Sequence, residues 1–281
     1  VEAAITEKTK VIMPVHMCGS MADLDALKAI CEKHNLLLLE DACQAFGASY
    51  KGEMLGSIGD AGTFSFDFVK TITCGEGGAV LTNNSEYAIH ADQYSDHGHD
   101  HKGNDRGAET HPVLGYNYRI SELHAAVGLG QISKMDDFIA IQRRNHGILK
   151  EALSSIPEVT FRRVPDPAGD SCGFLSFSMP TAALSNKAVA AFAVYGIDGY
   201  WNYFDNNWHY VRRWDHLKEM KSLFPLSDQL KEGLKNLKNQ EFPQSDDIIS
   251  RNISYLIKLS WTEAEVKDRA EKMVLAIKSI L

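Results

Sequence analysis

The sequence has no apolar run near the roughly 18 residues that a membrane-spanning helix requires, no Cys-x-x-Cys pair, and no block of clustered lysine and arginine. The first absence argues against membrane insertion. The second argues against a zinc knuckle or disulfide framework, since Cys18, Cys31, Cys43, Cys74 and Cys172 are odd in number and scattered. That usage fits a reducing compartment, and a cytoplasmic location is expected. The third absence, with 29 basic against 37 acidic residues and a net charge of −8, argues against nucleic acid, whose phosphates need grouped cations. An initiator methionine is also lacking at Val1, and polar helix-like sequence over 1–10 leads straight to a strand. The expectation is that an N-terminal part of the fold lies upstream. What is present, 281 residues with 44% hydrophobic and 23% charged, suffices for one large or two modest domains with a proper core.

Strand and helix patterns alternate through the first half. Residues 11–15 form a short apolar run. Ser20 is positioned to cap a helix to His34 with Leu24, Leu27, Ile30 and Cys31 on one face. The four leucines 36–39 predict a strand buried on both faces, as in a parallel sheet. Residues 61–66 and 78–82 read as further strands, and 120–153 as helix with one or two breaks. Near Pro157 the character changes: strands are predicted at 159–164, 173–179 and 253–259, and a helix at 186–195. A last helix opens at the capping box Thr262-Glu263-Ala264-Glu265. This is an α/β architecture, with a large domain over 1–150 and a small α+β domain over 151–281.

In open α/β sheets ligands sit beyond the carboxyl ends of the strands. One such end carries Asp41, followed by Cys43 and Gln44. The next carries Ser65, followed by Lys70 and a glycine-rich turn to Gly78. A lysine, an acid and a hydroxyl on one rim suit pyridoxal 5′-phosphate (PLP). The amine can form a Schiff base, the carboxylate can keep the ring nitrogen protonated, and the hydroxyl can bind the phosphate. Taken singly, Asp41 is more readily a cap, Ser65 a turn residue and Lys70 a solvated charge.

Four motifs occur in order: Glu40-Asp41-Ala42-Cys43-Gln44-Ala45, Gly62-Thr63-Phe64-Ser65-Phe66, Lys70-Thr71-Ile72-Thr73-Cys74-Gly75-Glu76-Gly77-Gly78 and Gly115-Tyr116-Asn117-Tyr118-Arg119. Together with Pro14-Val15-His16 they resemble the DegT/DnrJ/EryC1/StrS family of PLP-dependent sugar aminotransferases. The resemblance implies the aspartate-aminotransferase fold type I, with a mixed sheet in a large PLP domain. It implies Lys70 as the Schiff-base lysine, Asp41 as the partner of the pyridinium, Gln44 beside the ring and Ser65 on the phosphate. Asn117 is implied to reach the phosphate site of a second subunit, hence a homodimer with shared sites. A lysine at position 70, where dehydratase relatives carry histidine, implies transamination, with glutamate as the expected donor and a keto-sugar as acceptor.

The segment from Trp201 to Trp214 mixes aromatics with Asn, His and Arg. It reads as a sugar pocket or as a hydrophobic patch. His97-Gly98-His99 and Asn206-Asn207-Trp208-His209-Tyr210 resemble the branch that makes 8-amino-3,8-dideoxy-octulosonate for lipopolysaccharide. That likeness implies an oxidised 3-deoxy-octulosonate as substrate; His97, His99 and His209 are expected as contacts, and Arg212 is expected as the fork for its carboxylate. The spacing of His97, His99 and His101 suits no helix-face pair, and no metal site is expected. The alternatives are a nucleotide-linked keto-hexose as substrate, a PLP-dependent sugar dehydratase, or a non-catalytic PLP-binding regulator.

Overall fold

In the computed structural model, which describes residues 1–206 and 208–281, the chain divides into two units: Val1–Arg143 with Val164–Gly173, and Arg144–Arg163 with Phe174–Leu281. The first unit opens with strand β1 (Val11–Ile12), helix α1 (Leu24–His34) and strand β2 (Leu37–Asp41). A strand–helix–strand unit of this length makes a parallel crossover, and β1 and β2 pair in parallel. A short hairpin follows, β3 (Ser49–Tyr50) with β4 (Glu53–Met54). Then come β5 (Ala61–Ser65), parallel to β2, and β6 (Gly78–Leu81), antiparallel to β5. The order β1-β2-β5-β6 is a mixed sheet, as expected for fold type I.

Local physics moves several boundaries. Asp23, not Ser20, caps α1, its side chain accepting the Ala26 N–H; Met17–Gly19 form a 3₁₀ turn instead. Asn35 ends the helix in the left-handed conformation. The leucine strand is fully buried on one face and half-buried or exposed on the other. Leu38 and Glu40 are buried with Met21, Leu24 and Cys31, whereas Leu37 is 38% exposed. Because side chains alternate, α1 shelters one face of β2 and leaves the other, which corrects the two-sided expectation. The polar start makes one short turn, Glu2–Ala4, rather than a helix.

Helices α2 (Ser85–Ser95), α3 (Glu122–Ile132) and α4 (Met135–Leu153) complete this half, and α4 carries the chain into the second unit. Within the second unit, β7 (Thr160–Phe161), β8 (Phe174–Ser178), β9 (Tyr200–Trp201) and β10 (Asn252–Leu256) form an antiparallel sheet of order β7-β8-β10-β9. β7 is shorter than the predicted 159–164. Helix α5 (Ala182–Val194) packs on α9 (Glu263–Lys278), and the core gathers Phe177, Phe192, Ile253, Tyr255, Met273 and Ile277. Thr262 and Glu265 make the expected reciprocal cap. Between β9 and β10 lie α6 (Asp215–Lys218), α7 (Asp228–Asn239) and α8 (Pro243–Arg251), none of which buries a residue.

Candidate active site

The parallel pairing of β2 and β5 sets their carboxyl ends side by side, with Asp41 opposite Thr63 and Ser65 two residues further on. Asp41 is half-buried. Its N–H donates to Pro14 O at 2.9 Å, and its Oδ1 accepts the Cys43 N–H at 3.1 Å. That turn presents Gln44, whose Oε1 accepts the Cys18 N–H at 2.8 Å. Ser65 Oγ accepts the Asp67 N–H at 3.4 Å.

Lys70 lies in the connection from β5 to β6, which is closed like a buckle. The Phe66 N–H donates to Gly77 O at 2.8 Å, and the Cys74 N–H donates back to Phe66 O at 3.0 Å. Ile72 and Cys74 are buried beneath it, and Gln142 of α4 donates to Thr71 Oγ1 at 3.1 Å. Gly75 has φ +90°, a conformation costly for any residue with a Cβ. A Cβ at Gly77 would lie 2.9 Å from both Cys74 Sγ and Ile120 Cδ1. So fastened, Lys70 is half-buried, and among the described residues its Nζ meets no hydrogen-bond or ion-pair partner. The Cys43 thiol reports on this rim. Burial and the neighbouring Asp41 push it up to about 11, with the Lys70 charge acting the other way.

Behind the rim is a pair that sequence reasoning missed. His16 and Glu40 are fully buried, with His16 Nε2 at 3.0 Å from Glu40 Oε2. Burial alone would raise the Glu40 pKa. The bonds from His16 and the N–H groups of Gly56, Ile58 and Gly59 outweigh it and hold the carboxyl below its ordinary value. An acidic residue inside an apolar strand was the available signal, because buried charges require dedicated partners.

Asn117 is exposed and extended, bridged to Asp96. Its stretch does not open a helix: α3 begins five residues later, capped by Ser121. Asp96 is buried and receives Arg106 Nη2 at 2.6 Å, His101 Nε2 at 3.0 Å, and Arg119 Nη1. Arg106 first, then His101 and Arg119, hold its carboxyl well below the usual range against the effect of burial. Asp92 and Asp96 raise the His101 pKa. His97 is exposed in a left-handed conformation. His99 Nδ1 lies 2.8 Å from Glu109 Oε2, and its ring lies 4.2 Å from that of His111.

In the second unit, Arg212 Nη1 binds Asp246 Oδ2 at 2.7 Å and its guanidinium lies 5.1 Å from the Phe204 ring centre. The same carboxylate accepts the Tyr210 hydroxyl at 2.6 Å. Burial and Asp246 push that hydroxyl up to about 12. His209 is exposed, edge-on to Tyr203 at 5.3 Å. Asn207 lies outside the described residues. A cavity of about 600 Å³ is lined by Arg212, Arg213, Lys218, Lys238, Phe242 and Asp246 among others.

The model of the DegT/DnrJ/EryC1/StrS aminotransferase family matches residues 1–273. The chain is 40% identical over 155 residues to GDP-perosamine synthase of Caulobacter vibrioides, a match covering 55% of this chain and 41% of that protein. It is 41% identical over 160 residues to the L-glutamine:2-deoxy-scyllo-inosose aminotransferase of Streptoalloteichus tenebrarius, covering 55% and 38%. It therefore spans about two-fifths of the length of these curated relatives. A structure of E. coli GDP-4-keto-6-deoxy-D-mannose-3-dehydratase with bound hydrated PLP shares the fold, with a TM-score of 0.77 at 21% identity over 97% of this chain and 69% of that one. PLP is the cofactor of this family, and the chain's donor set fits it. The rim offers a half-buried amine without a counter-ion among the described residues, a carboxylate on the adjacent strand end, and a hydroxyl at the end of β5.

Proposed function

This chain belongs to the DegT/DnrJ/EryC1/StrS aminotransferase family, and from that membership we propose that it is a PLP-dependent aminotransferase acting on a keto-sugar. The single observation that carries the reading is Lys70: fastened by the Phe66 buckle, half-buried, and without an ion-pair partner among the described residues. An amine kept from neighbouring carboxylates is available for covalent work. When bound, PLP supplies an aldehyde and an electron-accepting ring. Lys70 would hold it and, once released, carry a proton to and from the reacting carbon. Asp41 would keep the ring nitrogen protonated, Gln44 would lie beside the ring, and Ser65 would bind the phosphate.

The second copy in this reading is supported by an uncovered apolar surface. Helix α3 buries no residue, and Leu123 and Leu129 are 81% and 73% exposed, close in sequence to Asn117. Apolar surface of this kind marks an interaction site, and a homodimer would bring Asn117 to its partner's cofactor. Free cysteines support a cytoplasmic enzyme, and among the described residues no helix is long and apolar enough to cross a membrane. For the acceptor, the resemblance of 97–99 and 206–210 supports an oxidised 3-deoxy-octulosonate. Relatives named for a GDP-sugar and for glutamine set the competing acceptor and donor. Borohydride treatment of the PLP-loaded full-length protein, followed by peptide mapping, should fix the label on Lys70. Label on another lysine overturns the assignment. Glutamate and glutamine assayed with keto-sugar acids and nucleotide-linked keto-hexoses then decide donor and acceptor.

A further inference from the structure

We propose that His16 and Glu40 are positioning residues for Asp41, holding the end of β2 so that the Asp41 carboxylate keeps one orientation; this rests on the reading of Asp41 as the cofactor's partner. The Ala22 N–H donates to His16 Nδ1 at 3.1 Å. That nitrogen is therefore the acceptor, the ring proton sits on Nε2, and His16 is a neutral donor to Glu40. Glu40 Oε2 accepts from His16 at 3.0 Å and from the Gly56 N–H at 2.8 Å. Its Oε1 accepts the N–H groups of Ile58 and Gly59, both at 2.7 Å. A buried carboxylate is costly unless its oxygens are fully bonded, and here the bonds tie three segments to one side chain: the chain after β1, the end of β2, and the turn before β5.

Residue 41 is held by the same histidine through the backbone. The His16 N–H donates to Asp41 O at 3.0 Å, and the Asp41 N–H donates to Pro14 O at 2.9 Å. Side chains alternate along a strand, so Glu40 anchors one face while Asp41 emerges on the other, one peptide away. Turning the Asp41 carboxylate by way of its backbone would break both grips. The tie to the 56–59 turn also secures the register that sets Asp41 opposite Thr63.

The two nitrogens of His16 can be separated by substitution. A Gln amide reaches the place of Nε2 and keeps the donor to Glu40; an Asn amide reaches the place of Nδ1 and loses it. In the full-length protein, His16→Asn is expected to weaken PLP binding about tenfold, to shift the visible absorbance maximum of the bound cofactor, and to speed hydrogen exchange at the Asp41 amide. His16→Gln is expected to restore all three towards wild type. The proposal is overturned if His16→Asn matches wild type in affinity, spectrum and exchange. It is equally overturned if both variants lose them alike in step with a lower Tm, which marks packing alone. Absence of PLP uptake by the wild-type protein would sink the reading of Asp41, whereas exchange at the Asp41 amide in the cofactor-free variants still decides whether the His16–Glu40 bond holds that residue.

Discussion

Asp41 and Arg212 are both charged side chains proposed to meet a ligand, and the two units hold them in opposite ways. Asp41 stands at the end of a strand paired on either side, over a buried network that grips its backbone. Arg212 lies on a short turn in an excursion whose helices α6, α7 and α8 bury nothing, and its guanidinium is already bonded to Asp246. The first arrangement would hold Asp41 in place before any ligand arrives. The second stores a cation on an internal carboxylate, and a ligand carboxylate would have to compete for it. Asp41 is thus held by the sheet itself, whereas Arg212, the proposed substrate contact, is carried by a loop excursion.

The largest expected effect breaks the comparison at its first term. Lys70→Ala should lower turnover by about 10³-fold or more, since in the proposed mechanism it would remove both the covalent attachment and the proton carrier. A stopped-flow half-reaction with the amino donor measures this, and near-wild-type turnover would remove Lys70 from the mechanism. Next is Asp41→Asn, which preserves shape but could not play the proposed part of holding a positive charge on the ring nitrogen. The same half-reaction should slow by about 10²-fold or more, as for other electrostatic contacts to developing charge, with Tm nearly unchanged.

The second term is sharpened by Arg212→Gln, with Arg213→Gln as control because Arg213 pairs instead with Asp205. If Arg212 meets an acceptor carboxylate, its loss should raise KM for a keto-sugar acid about tenfold, leaving the donor half-reaction untouched. Equal effects from both substitutions would assign the segment to packing.

The contrast between the units also governs what could be read from the sequence. The ends of β2 and β5, the Lys70 turn and the Thr262 capping box were legible because each depends on local chemistry: an apolar run stopping at an acid, glycine where the backbone needs it, a reciprocal cap. The His16–Glu40 pair was not legible, because its bonds join residues 24 apart and run mostly to backbone N–H groups of a turn that carries no motif. The pairing of Arg212 with Asp246, 34 residues away, was hidden for the same reason. Asp23 caps α1 in place of the expected Ser20, and the left-handed Cys18 within the preceding 3₁₀ turn accompanies that shift.

The smallest expected effect contrasts two histidines by the sign of their pH dependence. In the first unit, Asp92 and then Asp96 raise the pKa of His101. Its folded pKa exceeds its unfolded one, so its stabilisation is fully present below the unfolded value, near pH 6.5, and is lost as pH rises through the folded value. In the second unit, burial and then the Lys150 charge lower His146 to about 4. Here the unfolded chain binds the proton more readily, so stability falls as pH drops from about 6.5 towards 4. The loss is on the order of 2 kcal/mol once partial exposure is allowed for. Thermal melts across pH 4–9 should therefore show His146→Gln flattening the acid side of the stability curve, and His101→Gln flattening only the neutral-to-alkaline side. The second change should be the smaller, because His101 is partly solvated and its ion pairs are screened. Both substitutions acting on the same side would mean that one of the two histidines titrates in the opposite sense to its surroundings.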